Sequence, residues 1–210
     1  MNVKSKIDQR KMTMKTMLIA TAFALATSAA VSAEDFDNTT ATVSAEWDRF
    51  TFEIKGSEDD GYVTAKIGAE VLSYGLGENV DSTLDVYAIH YHADDEFGVG
   101  AEYTVTYAPN AWSVYGAADV EYFVDAEVFY VTPTIGTAYT ISEVTTVWGE
   151  VGYTWDATND WTRQGGVAEV GVDFDVATNI TLTPSVVYNF DQASGADDEA
   201  QLNLGVNLKF

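Results

Sequence analysis

The sequence predicts an all-β chain of 210 residues. Its strands run up and down, antiparallel, and close into a membrane-spanning barrel of about ten strands behind a cleaved signal peptide. Three observations carry this reading. The last residues alternate strictly in polarity. Strand-like runs of similar length recur, with turn residues between them, from residue 41 onward. The connections between those runs sort alternately into two kinds.

The alternation is clearest at the end of the chain, Glu199–Phe210, which reads EAQLNLGVNLKF. Ala200, Leu202, Leu204, Val206, Leu208 and Phe210 share one face. Glu199, Gln201, Asn203, Gly205, Asn207 and Lys209 share the other. Only a β-strand turns a period of two into two chemically opposite faces.

The bulk composition narrows the class. There is no cysteine, so disulfides, thiolate metal sites and a cysteine nucleophile are excluded. Net charge is −23, yet 47% of residues are hydrophobic. An acidic disordered chain would be poor in apolar residues, so the acidity decorates a folded object. It also argues against nucleic acid as a partner, since phosphate binding needs basic patches.

Residues 1–33 read as a targeting segment. Lys4, Lys6, Arg10, Lys11 and Lys15 form a basic start, Met17–Ala30 an apolar run, and Val31-Ser32-Ala33 a small-residue cleavage pattern. The run is too short for a membrane helix, which needs roughly 20 apolar residues. Met14 offers a second plausible start. The segment holds all 4 Met, half of the 10 basic residues and only one of the 33 acids. The predicted mature chain, 34–210, is therefore more acidic than the whole. It has no long apolar helix, so a membrane location requires a closed barrel without unpaired edges.

After a polar lead-in (Glu34–Thr40), the expected strands are Ala41–Lys55, Tyr62–Gly75, Thr83–Ala93, Gly98–Ala108, Trp112–Phe123, Val128–Thr140, Thr145–Asp156, Val167–Asp175, Ile180–Asp191 and Glu199–Phe210. Each suits the roughly 9–11 residues of a tilted spanning strand. The region of the fifth and sixth also allows a count of eight. One set of connections is acidic: GSEDDG, DDEF, Val124–Glu127, the longest loop Ala157–Gly166 with Trp161 and Arg163, and QASGADD. The other set is mostly tight: LGENVDS, PNA, Ile141–Val144 and ATN. Long outer loops and short periplasmic turns are the expected asymmetry. It puts both termini on the periplasmic side. Pro133 and Pro184, which cannot donate to a ladder, predict local bulges.

The terminal pattern Leu204, Val206, Leu208 and Phe210 resembles the C-terminal assembly signal of bacterial outer-membrane barrels. In overall style the chain resembles the small porin-like barrel proteins of Gram-negative bacteria. The resemblance implies the cell outer membrane, with outer-membrane lipid and lipopolysaccharide as surroundings. It also implies recognition of the last strand by the barrel-assembly machinery. Two aromatic girdles are expected. Tyr107, Trp112, Tyr139, Phe174 and Phe210 would form one, and Phe129, Tyr153, Trp155, Tyr188 and Phe190 the other. High β propensity of aromatic residues is the competing explanation.

The expected lumen-lining charges are Arg49, Glu53, Lys55, Lys66, Glu70, Glu102, Asp119, Glu121, Glu150, Glu169, Asp173, Glu199 and Lys209. Acids outnumber bases, and acidic rings favour cations in channels. The alternative is a packed polar core, because barrels near eight strands are filled by side chains. Gly68, Gly100, Gly136, Gly152, Gly171 and Gly205 also point inward and are expected to leave space. Lys209 is a candidate counter-ion for the acidic interior.

The only histidines are His90 and His92, with Asp94 and Asp95 following. They share one face of a strand, so both could reach one metal ion, and their position at the rim weakly resembles that of outer-membrane proteases. In the register of Leu84, Val86 and Ala88, however, both face lipid. The acidic outer loops, such as Glu58-Asp59-Asp60, could bind divalent cations through oxygen ligands, although none has the spacing of a dedicated calcium loop. No cofactor is implied. The expected function is passage of small cationic or neutral solutes through a narrow acidic lumen, or a structural role in the outer membrane. An enzyme at the histidines and a soluble secreted barrel are the rival readings.

Overall fold

The computed structural model describes residues 39–57, 63–92, 95–193, 195 and 198–210. The expected signal peptide, 1–33, lies outside the described residues, as do the acidic stretch Glu58-Asp59-Asp60 and Asp94. Eleven strands follow one another in the chain: β1 Thr39–Trp47, β2 Phe50–Ser57, β3 Val63–Gly77, β4 Val80–Tyr91, β5 Glu96–Tyr107, β6 Trp112–Phe123, β7 Val128–Ser142, β8 Thr145–Asp156, β9 Thr162–Ala177, β10 Ile180–Phe190 and β11 Glu199–Lys209. Each pairs with its sequence neighbour, and β1 pairs with β11, so the sheet closes into a barrel.

The count corrects the sequence expectation of ten. The extra strand arises because the run Ala41–Lys55 is two strands, joined by a turn at Asp48-Arg49. Asp48 takes a left-handed backbone (φ 57°), which Asp tolerates better than most residues. The sequence carries the signal in its parity. Ala41, Val43, Ala45 and Trp47 are apolar at odd positions, whereas Phe50, Phe52 and Ile54 are apolar at even ones. A continuous strand keeps its parity, and a two-residue hairpin turn flips it.

The eleventh strand changes the closure. β1 runs parallel to β11, from Thr39 opposite Leu202 to Glu46 opposite Lys209. Every other pair is antiparallel. β1 therefore enters the wall from the end that bears the β2–β3 hairpin, and Phe210 lies at the opposite end. The first described strand therefore starts at the end opposite Phe210, whereas the expected ten-strand order starts and finishes at one end. Polar groups hold the inner face of the seam. Thr42 Oγ1 donates to Asn203 Oδ1 at 3.2 Å, and Asn207 Nδ2 donates to Glu46 Oε1 at 2.7 Å. Lys209 Nζ lies 3.8 Å from Glu46 Oε2, so Lys209 has a named partner at the seam.

Strand ends also move. β3 runs to Gly77 and β4 begins at Val80, so LGENVDS contracts to a turn at Glu78-Asn79, with Asn79 left-handed (φ 61°). The loop at Ala157–Gly166 is shorter than expected because Thr162–Gly166 join β9. The prolines cause no register shift. Pro133 pairs in register with Ala118 and Pro184 with Leu204, and each leaves a gap in the ladder on its other side. A missing N–H removes a bond without adding a residue, so the strand needs no bulge. The register shifts fall elsewhere, among them Glu70/Leu72 and Thr154/Trp155.

The two faces of the wall are inverted relative to a water-soluble protein. Ile67, Val99, Ile135 and Val170 point outward and are 44–60% exposed. Inward positions carry Asp, Glu, Thr, Ser, Asn and Gly, together with the buried Tyr87, Ile89, Phe123 and Val187. An apolar belt of this extent around a polar interior is the distribution of a membrane barrel. Aromatic side chains mark both ends of the outer face. Trp112 and Tyr139 pair at one end with centroids 5.2 Å apart. Tyr153, Trp155, Phe190 and Tyr188 form a contiguous group at the other. Leu208 of the terminal motif is 1% exposed, opposite Ala45 and Ile180.

Candidate functional site

The lumen wall is built from a repeated unit. Tyr87 of β4 points inward and lies across Gly100 of β5, and its hydroxyl donates to Asp119 of β6, 2.6 and 2.8 Å from the two carboxylate oxygens. Tyr115 of β6 lies across Gly136 of β7 and donates to Glu150 of β8. Trp148 of β8 lies across Gly171 of β9, and its Nε1 donates to Asp173 at 3.2 Å. A Cβ on Gly100 would sit 2.3 Å from the Tyr87 ring, and one on Gly136 would sit 2.2 Å from Tyr115. The sequence expectation that inward glycines leave open space does not hold at Gly100, Gly136 and Gly171. They let an aromatic ring lie flat against the wall, where the absence of Cβ permits the approach.

The carboxylates fall into two groups. On β8–β10 they accept from neighbouring side chains: Glu150 from Tyr115, Glu169 from Ser185, Asp173 from Thr183 and Trp148. Glu150 also stands directly opposite Glu169. On β3–β6 the opposition runs across four strands, with Glu102 accepting from Thr104 Oγ1 at 3.3 Å and Asp119 from Tyr87. Glu70 is directly opposite Asp85, Asp85 opposite Glu102, and Glu102 opposite Asp119. That makes a row of four carboxylates on four adjacent strands. Like charges directly opposite in a sheet repel. The basic group that acts on Asp85, Glu102 and Glu121 alike is Lys66, whose Nζ also sits 3.6 Å from the centroid of the Tyr87 ring.

Two cavities are stacked along the barrel. One of about 500 Å³ lies toward the end bearing the β10–β11 connection and is lined by Tyr91, Glu96, Glu121, Phe123, Tyr130 and Gln164, among others. The other, about 340 Å³, is lined by Glu102, Thr104, Thr106, Tyr115, Ala117, Thr134 and Glu150. The interior therefore keeps space at different levels, lined by polar and aromatic side chains together.

The register places Glu53, Lys55, Lys66, Glu70, Glu102, Asp119, Glu121, Glu150, Glu169, Asp173, Glu199 and Lys209 on inward positions. Arg49 is the exception. It lies in the β1–β2 turn and not on the lumen wall. The sequence reading missed Glu46 and Asp85, and it did not count Tyr87, Tyr115 and Trp148 as part of the wall. Asp85 was readable, since it alternates with Leu84 and Val86. The aromatic residues were not, because their inward role depends on a glycine in the adjoining strand.

His90 stands between Ala65 and Phe97 on the outward face, at the rim. Its ring is 6.3 Å from His92, and its Nε2 is 3.3 Å from Asp95 Oδ1. Among the described residues no group of three or more His, Asp or Glu converges to hold a metal ion. His90 and the lumen are on opposite faces of the wall.

No family model matches the chain, and no curated protein matches it in sequence. Its structure is similar to that of NanC porin, with a TM-score of 0.60 and 11% identity over 80% of this chain and 91% of that one. The outer membrane channel DcaP of Acinetobacter baumannii is similar at a TM-score of 0.40 and 12% identity, over 76% of this chain and 57% of that one. At such low identity the likeness to NanC porin concerns the fold alone: the chain folds as a porin-like closed β-barrel.

Proposed function

We propose that the protein is an outer-membrane channel that passes small cationic or neutral solutes through a narrow acidic lumen. The observation that carries this reading is the row Glu70, Asp85, Glu102 and Asp119, with Lys66 as the nearby base. A wall selected only for stability gains nothing from stacking like charges. A wall that concentrates cations does, since a narrow cleft lined by one sign of charge raises the local concentration of the opposite sign. The porin-like fold and the apolar outer belt support a membrane location. In this reading the β11 strand with Leu204, Val206, Leu208 and Phe210 is what the assembly machinery engages, and outer-membrane lipid and lipopolysaccharide surround the belt. Solute moves passively and no side chain needs to act as a catalyst.

Purified protein in planar bilayers, under a potassium chloride gradient, tests this. The expected result is single-channel steps with a reversal potential on the cation-selective side. Absence of steps would sink the channel reading and leave a structural component of the membrane. Anion selectivity would remove the role given to the carboxylate row. Recovery only from the soluble fraction, without heat-modifiable gel mobility, would defeat the membrane location.

A further inference from the structure

The larger cavity has a composition that the acidic row does not explain. Three aromatic rings line one side of it: Tyr91, Phe123 and Tyr130. Phe123 is the centre of the group, 5.3 Å from Tyr91 and 5.5 Å from Tyr130, and it is only 6% exposed. The rings are not parallel. Tyr91 is inclined 50° to Phe123, and Tyr130 stands at 71° to it. The three rings therefore form an inclined cluster around Phe123 at the cavity wall. The carboxylates Glu96 and Glu121 line the same cavity, and both act electrostatically on Tyr130. Across from them stands Gln192. Its amide N–H groups are turned to the backbone carbonyls of Gly166 and Phe190, which leaves its oxygen as an acceptor. No lysine or arginine lines the cavity.

We infer that this vestibule is a binding site for a small organic ammonium ion. The inference rests on the channel reading, because the ligand would reach the site as a solute entering the lumen. Inclined aromatic faces attract a cation through their quadrupoles, and they do so best where water is excluded. Two carboxylates add charge of the right sign, with Lys66, which acts on Glu121, outside the cavity lining. A hydrated alkali ion exploits the carboxylates but gains little from three rings. A neutral apolar solute would use the rings but leave Glu96 and Glu121 unpaired at the cavity wall. An organic ammonium ion uses both. A cavity of about 500 Å³ is also in the size range of small-molecule sites.

The test uses choline and its uncharged isostere 3,3-dimethylbutan-1-ol, titrated calorimetrically into the full detergent-solubilised barrel. Choline should bind, with an affinity that falls as salt is added, and the isostere should bind at least about tenfold more weakly. Tyr130→Leu should weaken choline binding by about tenfold. Glu121→Gln, which preserves shape, should weaken it in the same direction and guards against a misfolded Tyr130 variant. Heat-modifiable mobility checks that both variants close. Equal binding of the two probes, no binding of choline, or unchanged affinity in Glu121→Gln would each overturn the inference. The bilayer measurement separates the two claims. Choline binding without conductance fails the channel reading alone, and cation-selective steps without choline binding fail this inference alone.

Discussion

The β3–β6 wall and the β8–β10 wall both set carboxylates opposite one another, Glu150 against Glu169 in one and the row from Glu70 to Asp119 in the other, and they differ in how many of those acids accept from a neighbouring side chain. On β8–β10, Glu150, Glu169 and Asp173 each accept from a hydroxyl or an indole N–H. Those carboxylates fasten one strand to the next. On β3–β6, Glu70, Asp85 and Glu102 stand opposite one another, and Lys66 is the base shared between them. Asp119 joins the two regimes. It ends the acidic row and also accepts from Tyr87. An acidic residue in this lumen is therefore not a functional residue by type. Whether its lone pairs are occupied by neighbours in the wall decides whether it can act on a passing ion.

The contrast can be challenged in several ways. The largest change is expected where the aromatic units are broken. Gly136→Val puts a branched side chain where the Tyr115 ring lies and should cost about 1–3 kcal/mol or prevent closure. Loss of heat-modifiable mobility, or a lower unfolding midpoint in urea, would register it. Next comes selectivity. The pair Glu70→Gln and Asp85→Asn should lower the potassium-over-chloride permeability ratio several-fold, measured by reversal potential. Glu150→Gln should lower it much less, because that carboxylate is held by Tyr115. Equal effects would show that both walls face the ion alike. Tyr115→Phe removes one hydrogen bond to a charged acceptor and should cost about 1.5–3 kcal/mol, read by equilibrium unfolding. The smallest effect is expected for His90→Ala, which should leave conductance unchanged because the ring lies on the outward face. A changed single-channel current in that variant would place the histidines in the permeation path.

Much of this architecture was legible in the sequence. The alternation of β11 and the paired faces of β5 and β10 follow from period two alone, since a strand cannot hide a polar residue on an apolar face. Twelve of the thirteen expected lumen charges fall on inward positions for the same reason. Arg49 failed because it sits where the parity changes, beside the left-handed Asp48. No Gly or Pro marks that turn, so it reads as strand interior. The missed strand then altered the closure, because an odd count forces one parallel pair. Cysteines at Val43 and Val206, which stand opposite each other across the β1–β11 seam, test this directly. An oxidant should cross-link them in the folded barrel. A ten-strand barrel with β2 against β11 would yield no cross-link.

The sequence by itself determined that this chain is a closed β-barrel with an apolar outer face. Those properties depend on residues in one strand at a time, and the period of the backbone reads them out. Only the tertiary structure decided that the inward glycines are seats for Tyr87, Tyr115 and Trp148. It alone decided which of the opposed acids also accept a hydrogen bond from the wall, and it brought Tyr91, Phe123 and Tyr130 into one cluster. Each of these depends on the register between strands, which lateral pairing sets and no single strand encodes.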